Sequence, residues 1–472
     1  MSKLQFSREE MKKMGYQVID MLVDHWDNLP QKRTAITATR QEMRDKISQP
    51  FVSEPGNFDD ILKMLREDVF GHALNVMHPR FFAYIPGPSN FVSVLADTMA
   101  AGYNTFAGTW LAAAGPSQIE WDTIHFLCEQ LGLGQEAGGI FVSGGSMANL
   151  TALAVARKQV LDDRLHNATV YFSDQTHTAT DRALIILGFH RENIRKIPSN
   201  DNFVMCTDEL RSQIQKDKQN GQRPFCVIAN SGTTNTGAIE PLNDIADICE
   251  EENMWFHVDG AYGAAAVLSE RGKKQLQGIE RADSIALDPH KWLFQPFEIG
   301  CTIVRNTEHL RDTFQILPEF LQDAHQHDRE INFCDHGIQL SRSFRALKLW
   351  LSFKVFGLKA FSDAIDMGFD LAEFAAQQVE KNSHLQLVTP AQMALLSFRY
   401  YDEGCDEEAL NHINNNIVKQ VIKEGFAMMS STVLKGKTVL RLCTINPRST
   451  EDDVCQTLMK VVEYGQGIQK KM

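Results

Sequence analysis

Four short apolar runs separated by helical patterns constrain the fold of this 472-residue chain more than any other feature of its sequence. The runs cover residues 168–173, 225–229, 254–258 and 284–287. Strands that alternate with helices at this spacing form a mostly parallel sheet with helices on both faces. We therefore predict an α/β fold in which ligands bind at the carboxyl ends of the strands.

Two of these runs lead into residues of opposite charge. One ends at Asp259 in the motif HVDGAYG, and the next precedes Lys291 in the motif DPHKW. A lysine amine can condense with the aldehyde of pyridoxal phosphate, and an aspartate can keep the pyridine nitrogen protonated, so that the ring accepts electrons from a bond broken at the substrate Cα. Either residue alone is a weak signal, because a buried Asp often caps a turn and a lone Lys usually lies on a solvated face. The two motifs together predict a pyridoxal-phosphate site.

HVDGAYG and DPHKW resemble the motifs of the group II pyridoxal-phosphate-dependent amino-acid decarboxylases, and the resemblance covers nearly the whole chain. It is closest to the aromatic-amino-acid and tryptophan decarboxylase branch. It implies the pyridoxal-phosphate-dependent transferase fold, fold type I, with a mostly parallel sheet in a large domain and a small C-terminal α/β domain. The implied division is an N-terminal helical segment over residues 1–85, a large cofactor-binding domain over 86–365 and a small domain over 366–472.

The N-terminal segment contains a capping box from Ser7 to Glu10, followed by apolar residues at helical spacing up to Trp26. This pattern predicts an amphipathic helix. Periodicity does not distinguish packing on its own subunit from packing across a partner subunit. The resemblance favours the second arrangement and implies a homodimer with the active site at the subunit interface.

A glycine-rich stretch marks a candidate phosphate site. Residues 139–150 run from apolar residues through Gly144, Gly145 and Ser146 into a helical pattern. Glycines let the backbone approach an anion, and the amides at a helix start stabilise negative charge, although half or more of such short sequences are only helix entries. The resemblance implies that Gly145 and Ser146 contact the cofactor phosphate.

Five further cofactor contacts follow from the resemblance. His177, within SDQTH, matches a histidine that stacks on the pyridine ring and shields the reacting face from water. By itself, a His after a strand is more often a cap or a satisfied polar group. The hydroxyl of Thr234 is expected to reach the cofactor, and the small Ala261 leaves room for the ring. Asp288 and His290 are expected to meet the phosphate, although the family often has Asn in place of Asp288.

Two aromatic stretches, HPRFFAYIPGP and AGYNTFAGTW, have the composition of pocket loops. Aromatic core filling explains either stretch alone. The resemblance places Tyr84 and Pro86 in the substrate pocket, and it places Phe106 in a segment contributed by the neighbouring subunit. Gly108 stands where animal aromatic decarboxylases carry a Phe, which leaves room for a larger ring.

Phe320 is the main departure from the resembling family. Within LPEFL it falls on a Tyr that covers the neighbouring active site and protonates Cα after CO2 has left. Phe has no proton to give. Members with Phe here resemble aromatic aldehyde synthases, in which O2 meets the carbanion and the products are aldehyde, CO2, ammonia and peroxide. The amine stays open as a product, since His177 or water could be a slower acid.

Composition excludes several other classes. A formal net charge of −13 argues against a nucleic-acid or anionic-membrane partner. No apolar run approaches the roughly 20 residues of a membrane span, and the first residues lack a signal-peptide core, so we expect a cytoplasmic protein. Nine scattered cysteines without a C-x-x-C pair suggest neither a zinc site nor a disulfide frame, and most are expected to be core residues.

The sequence therefore predicts a pyridoxal-phosphate-dependent carboxy-lyase acting on an aromatic L-amino acid, namely tryptophan, phenylalanine or tyrosine. Its predicted catalytic residues are Lys291, His177 and Phe320, and its cofactor is held further by Asp259. A transaminase on the same cofactor is an alternative, which would leave pyridoxamine phosphate after turnover. A binding module without chemistry is a second alternative, against which the intact Lys291 and Asp259 argue.

Overall fold

The computed structural model describes residues 4–162, 164–316 and 330–472 of the chain. Phe320 lies outside these described residues. Within the described ranges, no helix is long and apolar enough to cross a membrane. The cytoplasmic location stays a prediction.

The described residues form helices and strands in the following order along the chain. The strands are β1 Gly138–Val142, β2 Ala168–Ser173, β3 Ile194–Ile197, β4 Arg223–Asn230, β5 Trp255–Asp259, β6 Ser284–Leu287, β7 Gly300–Val304, β8 Leu385–Gln392, β9 Leu395–Tyr400, β10 Ser430–Leu434 and β11 Lys437–Cys443. The helices are α1 Arg8–Asp27, α2 Arg40–Ile47, α3 Phe58–Met64, α4 Phe91–Tyr103, α5 Trp110–Gln130, α6 Gly145–Ala156, α7 Thr178–Ile186, α8 Thr207–Gln219, α9 Leu242–Glu252, α10 Glu270–Gln275, α11 Glu308–Phe314, α12 Ala346–Phe356, α13 Leu358–Glu380, α14 Glu407–Glu424 and α15 Glu451–Gln469.

The larger sheet has the strand order β1-β7-β6-β5-β4-β2-β3. Strands β3, β2, β4, β5 and β6 are parallel to one another, whereas β7 runs antiparallel to both β6 and β1. Every residue of β5 and β6 is buried, as expected for strands covered on both faces. The prediction of an α/β fold with a mostly parallel sheet is confirmed.

Helices cover both faces of this sheet because alternate strand residues point to opposite sides. On one face, Val258 packs in a cluster with Ile214 of α8 and Ile245 of α9. On the other face, Ile228 packs with Leu153 of α6 and with residues of α7. The face that carries α6 also carries the glycine-rich turn that follows β1.

The C-terminal part forms a smaller antiparallel sheet with the order β10-β11-β9-β8. Phe398 and Leu440 of this sheet pack against Ile417 of α14 and Val461 of α15. The predicted small α/β unit is therefore present. Thr450 caps α15 in a capping box with Asp453, as the sequence indicates.

Two predicted element boundaries are wrong. The apolar run 427–433 predicts a strand, but β10 begins only at Ser430, because the Met428 backbone pairs instead with the loop at Arg80 and Phe82. The sequence from Arg342 towards Phe356 predicts a long helix, but α12 begins at Ala346. The buried Arg342 guanidinium instead binds the Glu120 carboxylate and the Ala107 carbonyl oxygen, 2.8 Å away.

Helix α1 begins with the predicted capping box, in which the Ser7 amide donates to Glu10 Oε2 at 2.8 Å. None of its residues is buried within this chain. Met11, Tyr16 and Val23 are all exposed. The other apolar residues of α1 are partly buried, so the helix packs one side on its own chain and leaves these three apolar residues exposed.

The nine cysteines are free thiols. Six of them are buried, which agrees with the expectation that most are core residues. Burial raises the pKa of the Cys128 thiol to about 12 and that of Cys443 to about 11. These thiols are therefore protonated at neutral pH.

Candidate active site

A cavity of about 680 Å³ opens at the carboxyl ends of β4, β5 and β6, beside the turn that follows β1. Its volume is within the usual range for small-molecule sites. Ten of the residues predicted from the sequence line it: Tyr84, Gly145, Ser146, His177, Thr234, Asp259, Ala261, Asp288, His290 and Lys291. The structure thus brings together residues as far apart in sequence as Tyr84 and Lys291.

The start of α6 is suited to bind an anion. Its N-cap is Gly144, and no side chain caps its first turn, so the amides of Gly145 and Ser146 are available to a ligand. A Cβ on Gly145 would lie 2.7 Å from Asp288 Oδ2 and 3.0 Å from the Ala261 Cβ. Glycine is therefore required for the close approach of this turn to the rest of the site.

Asp259 ends β5 at the base of the cavity and is only 8% exposed. Its Oδ1 accepts a hydrogen bond of 3.2 Å from the Ala261 amide, which fixes the orientation of the carboxylate. Asn230, at the end of β4, is its partner in the sheet register. A buried carboxylate held in this way can accept a hydrogen bond from a protonated ring nitrogen.

Lys291 follows β6 and forms an ion pair with Asp288, in which Nζ lies 3.0 Å from Oδ2. Asp288 is 2% exposed, and its Oδ1 has no hydrogen-bond partner among the described residues. The neighbouring His290 accepts a hydrogen bond at Nδ1 from the Ile299 amide at 3.3 Å. Burial lowers the pKa of His290, so its imidazole is neutral at neutral pH.

Trp292 lies behind Lys291 as a fully buried ring. It stacks on Tyr262, with ring centroids 5.4 Å apart and an angle of 22° between the planes. Tyr262 belongs to the HVDGAYG motif and Trp292 to the DPHKW motif. The stacking therefore joins the two motifs at the back of the cavity.

His177 is the N-cap residue of α7, and its Nδ1 accepts a hydrogen bond of 3.2 Å from the Ala179 amide. The ring consequently has its orientation fixed by the helix start. The preceding Thr176 accepts a hydrogen bond at Oγ1 from Asn230 Nδ2, 2.9 Å away. Both the cap and the link to β4 hold this loop at the cavity.

Tyr84 lies at the cavity mouth with a positive φ of 56° and is 53% exposed. Its amide donates to Ser430 Oγ at 3.2 Å, and its carbonyl oxygen accepts from Arg441 at 3.3 Å. The small C-terminal sheet thus holds this residue in place. Pro86 is buried nearby but does not line the cavity.

The segment with Phe106 and Gly108 does not line the cavity of its own chain. A Cβ on Gly108 would lie 2.4 Å from Phe106 Cζ and 2.8 Å from the Leu340 carbonyl oxygen. Within its own chain the Phe106 ring fills the space beside Gly108, and whether Gly108 leaves room for a larger ring in a substrate pocket stays a prediction. Whether the segment contributes to a partner's cavity stays a prediction.

The sequence reasoning missed residues that support the site from behind. Among them are Asn230, Glu240, His257 and Arg441, all of which are buried. His257 lies inside a motif, and Glu240 follows the Gly and Thr turn after β4. Their positions in or near the site motifs could have marked His257 and Glu240 as candidates. Only the structure shows which residues they bind.

The groups that line the cavity match the phosphate, ring nitrogen and aldehyde of pyridoxal phosphate. The α6 amides offer a phosphate site, Asp259 offers a carboxylate for a ring nitrogen, and Lys291 offers an amine for an aldehyde. Residues 41–401 match the protein family described as the pyridoxal-dependent decarboxylase conserved domain, which covers most of the chain. The chain belongs to this family. It is a pyridoxal-phosphate-dependent decarboxylase.

Relatives of this decarboxylase include proteins named for aromatic substrates or products. It is 48% identical over 460 residues to an aromatic-L-amino-acid decarboxylase of Bacillus atrophaeus, covering 97% of this chain and 96% of the relative. It is 28% identical to a phenylacetaldehyde synthase of Arabidopsis thaliana, covering 96% of this chain and 95% of the relative. The crystal structure of Oryza sativa TDC with PLP and tryptamine matches with a TM-score of 0.93 and 25% identity, over 99% of each chain.

Proposed function

We propose that this decarboxylase removes the α-carboxylate of an aromatic L-amino acid and releases CO2 and the aryl-alkylamine. The supporting observation is the charge of the cavity. Among the described residues that line it, Lys291 is the only Lys or Arg, and we assign that amine to the cofactor. A substrate with a carboxylate in its side chain would find no cation there, whereas an aromatic ring needs none.

The residues around Tyr84 also favour an aromatic over an acidic substrate. Arg80, in the same stretch, points away from the cavity and donates to the Phe426 carbonyl oxygen at 2.8 Å and to Asp453 at 3.3 Å. It is therefore not available to a substrate carboxylate. Tyr84 and Phe297 present aromatic rings at the cavity, next to which an aromatic substrate can pack.

Each cavity residue receives a proposed role. Pyridoxal phosphate, when bound, supplies a ring that accepts the electron pair of the broken bond. Lys291 holds its aldehyde carbon, and Asp259 keeps the proton on the ring nitrogen. Gly145 and Ser146 would hold the phosphate, with His290 beside it, and Asp288 would meet the phosphate as a second negative charge. His177, Thr234 and Ala261 orient the ring.

The test is incubation of the holoenzyme with tryptophan, phenylalanine, tyrosine and glutamate, with CO2 and amine measured for each. We expect turnover of the aromatic substrates and at least about a hundredfold lower kcat/KM for glutamate, because burying an unpaired carboxylate costs several kcal/mol. A preference for glutamate would contradict the proposal. Accumulation of pyridoxamine phosphate would favour a transaminase instead.

Phe320 supports a second product. We propose that, where Cα is not protonated after CO2 leaves, the amino acid, O2 and water give the aldehyde, CO2, ammonia and hydrogen peroxide. The similarity to a phenylacetaldehyde synthase supports this alternative. Aldehyde and peroxide in equal amounts would select it, and Phe320→Tyr should then restore the amine. Amine without peroxide from the unchanged enzyme would exclude it.

We also propose a homodimer with the active site at the interface, together with the division at residues 85 and 365. The exposed apolar residues of α1 support a subunit contact. Phe106 is 37% exposed and lies outside the cavity of its own chain, which supports a role for its segment in the partner's pocket. Helix α13 runs through the division at 365, so the two domains would share this helix.

A further inference from the structure

His257 is a fully buried histidine that the proposed mechanism does not use. It lies on β5, two residues before Asp259, so both side chains project from the same face of the sheet. Its Nδ1 is 2.8 Å from Ser284 Oγ at the start of β6. Its Nε2 is 2.7 Å from Asn149 Oδ1 on α6. The imidazole therefore joins two strands and the helix that begins at the glycine-rich turn.

His257 belongs to a series of hydrogen bonds that runs from Trp255 to Gly145. The group at the Gly145 end fixes which atoms are donors. At the helix end, Asn149 Nδ2 donates to the Gly145 carbonyl oxygen at 2.9 Å. A carbonyl oxygen can only accept, so the amide of Asn149 must turn its Oδ1 towards His257. His257 Nε2 must then be the donor to that oxygen.

The tautomer follows from this donor and from burial. Burial lowers the pKa of His257 to about 4, so the imidazole is neutral and carries its one proton on Nε2. Nδ1 is then an acceptor for the hydrogen of the Ser284 hydroxyl, whose oxygen accepts from Trp255 Nε1 at 2.8 Å. The Ser284 carbonyl oxygen, 3.2 Å from Nδ1, receives no hydrogen bond from it in this tautomer.

The chain of bonds ends at the first turn of α6. Gly145, whose carbonyl oxygen accepts the last bond, also carries one of the two amides that face the cavity. Asp259 stands at the other end of the same cavity on the strand that carries His257. A rigid link between the strand and the helix start fixes the distance between the carboxylate and the anion-binding amides.

We propose that His257 is a positioning residue that sets the phosphate-binding turn of α6 relative to Asp259, through its Nε2 hydrogen bond to Asn149. The inference rests on the proposed placement of the cofactor phosphate at Gly145 and Ser146. It implies that His257 contributes to the affinity for the phosphate group of the cofactor and not to the affinity for its ring.

The test compares two substitutions of nearly equal size. In His257→Gln the side-chain amide reaches the place of Nε2 and keeps the donor to Asn149. In His257→Asn the amide reaches only the place of Nδ1, so the bond to Ser284 is kept and the bond to Asn149 is lost. Apo-protein of each variant is titrated with pyridoxal phosphate and with pyridoxal, which lacks the phosphate.

We expect His257→Asn to weaken the binding of pyridoxal phosphate about tenfold, the effect of one lost buried hydrogen bond, with pyridoxal binding unchanged. His257→Gln should stay within about threefold of the parent for both ligands. Equal weakening for both ligands, or equal behaviour of the two variants, would overturn the inference.

Two controls separate the possible failures. Ser146→Pro removes one of the two amides in a helical turn that tolerates proline, and it should weaken pyridoxal phosphate but not pyridoxal; if it does not, the placement of the phosphate is wrong and the inference fails with it. His336→Asn changes another fully buried histidine that does not line the cavity, and it should not alter the preference for the phosphorylated ligand. If His257→Asn does not fold, Asn149→Ser breaks the same link from the helix side and must show the same selective loss.

Discussion

Asp288 brings a second negative charge to the end of the cavity where we place the phosphate. Its Oδ2 is 3.0 Å from Lys291 Nζ, and a Cβ on Gly145 would lie 2.7 Å from the same oxygen. If Lys291 bonds to the cofactor aldehyde, its amine would no longer be free to neutralise Asp288. A phosphate bound at the α6 amides would then add negative charge beside this buried carboxylate.

We therefore expect Asp288→Asn to bind pyridoxal phosphate about threefold or more tightly than the parent, because an amide can donate to the phosphate and carries no charge. Titration of apo-protein with the cofactor measures this change. Asp283→Asn, at the opposite end of β6, is the control and should leave the affinity unchanged. Weaker binding by Asp288→Asn would contradict this expectation. It would mean that the ion pair of Asp288 with Lys291 favours cofactor binding more than repulsion from the phosphate opposes it.

Glu240 is a second buried acid near the site. Its Oε2 accepts from the Asn230 amide at 2.8 Å and from Asn230 Nδ2 at 3.1 Å. Burial raises the pKa of Glu240 to about 7. Since the folded-state pKa is above the unfolded value, the contribution of Glu240 to stability is full at acidic pH and is lost as the pH rises through about 7.

Glu240→Gln keeps an acceptor for Asn230 but has no charge to bury. We expect its Tm to exceed that of the parent by about 2 °C at pH 8, with a smaller difference at pH 5.5. Asp217→Asn is the matched control, because the pKa of Asp217 is shifted in the opposite direction to that of Glu240. Burial would raise the pKa of Asp217, but hydrogen bonds from Arg195 and Tyr171 outweigh it and lower that pKa. Its replacement should therefore lower the Tm at pH 8, and an identical response of both variants would contradict the argument.

At the scale of elements, the small C-terminal sheet holds two loops of the cavity through Arg441 of β11. The guanidinium donates to the Thr234 carbonyl oxygen, to the Asn235 carbonyl oxygen at 3.1 Å and to the Tyr84 carbonyl oxygen at 3.3 Å. It also donates to Ser430 Oγ at 3.1 Å. One planar, fork-shaped donor thus fixes both loops to one strand.

We expect Arg441→Lys to lower kcat/KM about tenfold or more, because an ammonium cannot reach both loops at once. The pyridoxal-phosphate absorption of the variant shows whether the cofactor is still bound. Arg399→Lys is the control, since Arg399 is buried on β9 of the same sheet but pairs with Glu407 and Gln386. Equal kinetic losses in both variants would mean that the sheet matters only for overall stability.

The sequence predicted the strands and the cavity residues correctly where an apolar run stood next to a recognisable motif. Runs ending in Asp259 and preceding Lys291 gave the strand ends, and parallel strands bring such ends to one edge. It failed at Arg342 and at the strand before Ser430, where tertiary contacts of an arginine and of a loop decide the boundary. Arg441 contacts Thr234 and Tyr84, which lie 207 and 357 residues away in sequence, and no local pattern records such contacts.

At the scale of the whole molecule, α1 exposes Met11, Tyr16 and Val23, and the following segments expose Phe51 and Phe70. Apolar surface of this extent is unfavourable in water unless another surface covers it. A second copy of the chain is the occupant that we propose. The activity would then depend on protein concentration.

We expect the double substitution Met11→Glu and Val23→Glu to convert the dimer to a monomer, because two charges would be buried in the contact. Light scattering coupled to size-exclusion chromatography measures the mass, and kcat measured over a range of protein concentrations follows the activity. Lys12→Glu changes the charge of the same helix without altering an apolar residue and should leave the dimer intact. A parent protein that is monomeric at every concentration would contradict the proposal.

The strand order of the larger sheet also affects when the chain can fold during its synthesis on the ribosome. β1 is an edge strand whose neighbour is β7, so Gly138–Val142 pairs with residues that the ribosome delivers only after Lys291. The turn that starts α6 therefore has no finished strand before it until Gly300–Val304 has emerged. Loading of the cofactor must wait for that moment, and a nascent chain released before residue 300 should leave pyridoxal phosphate in solution.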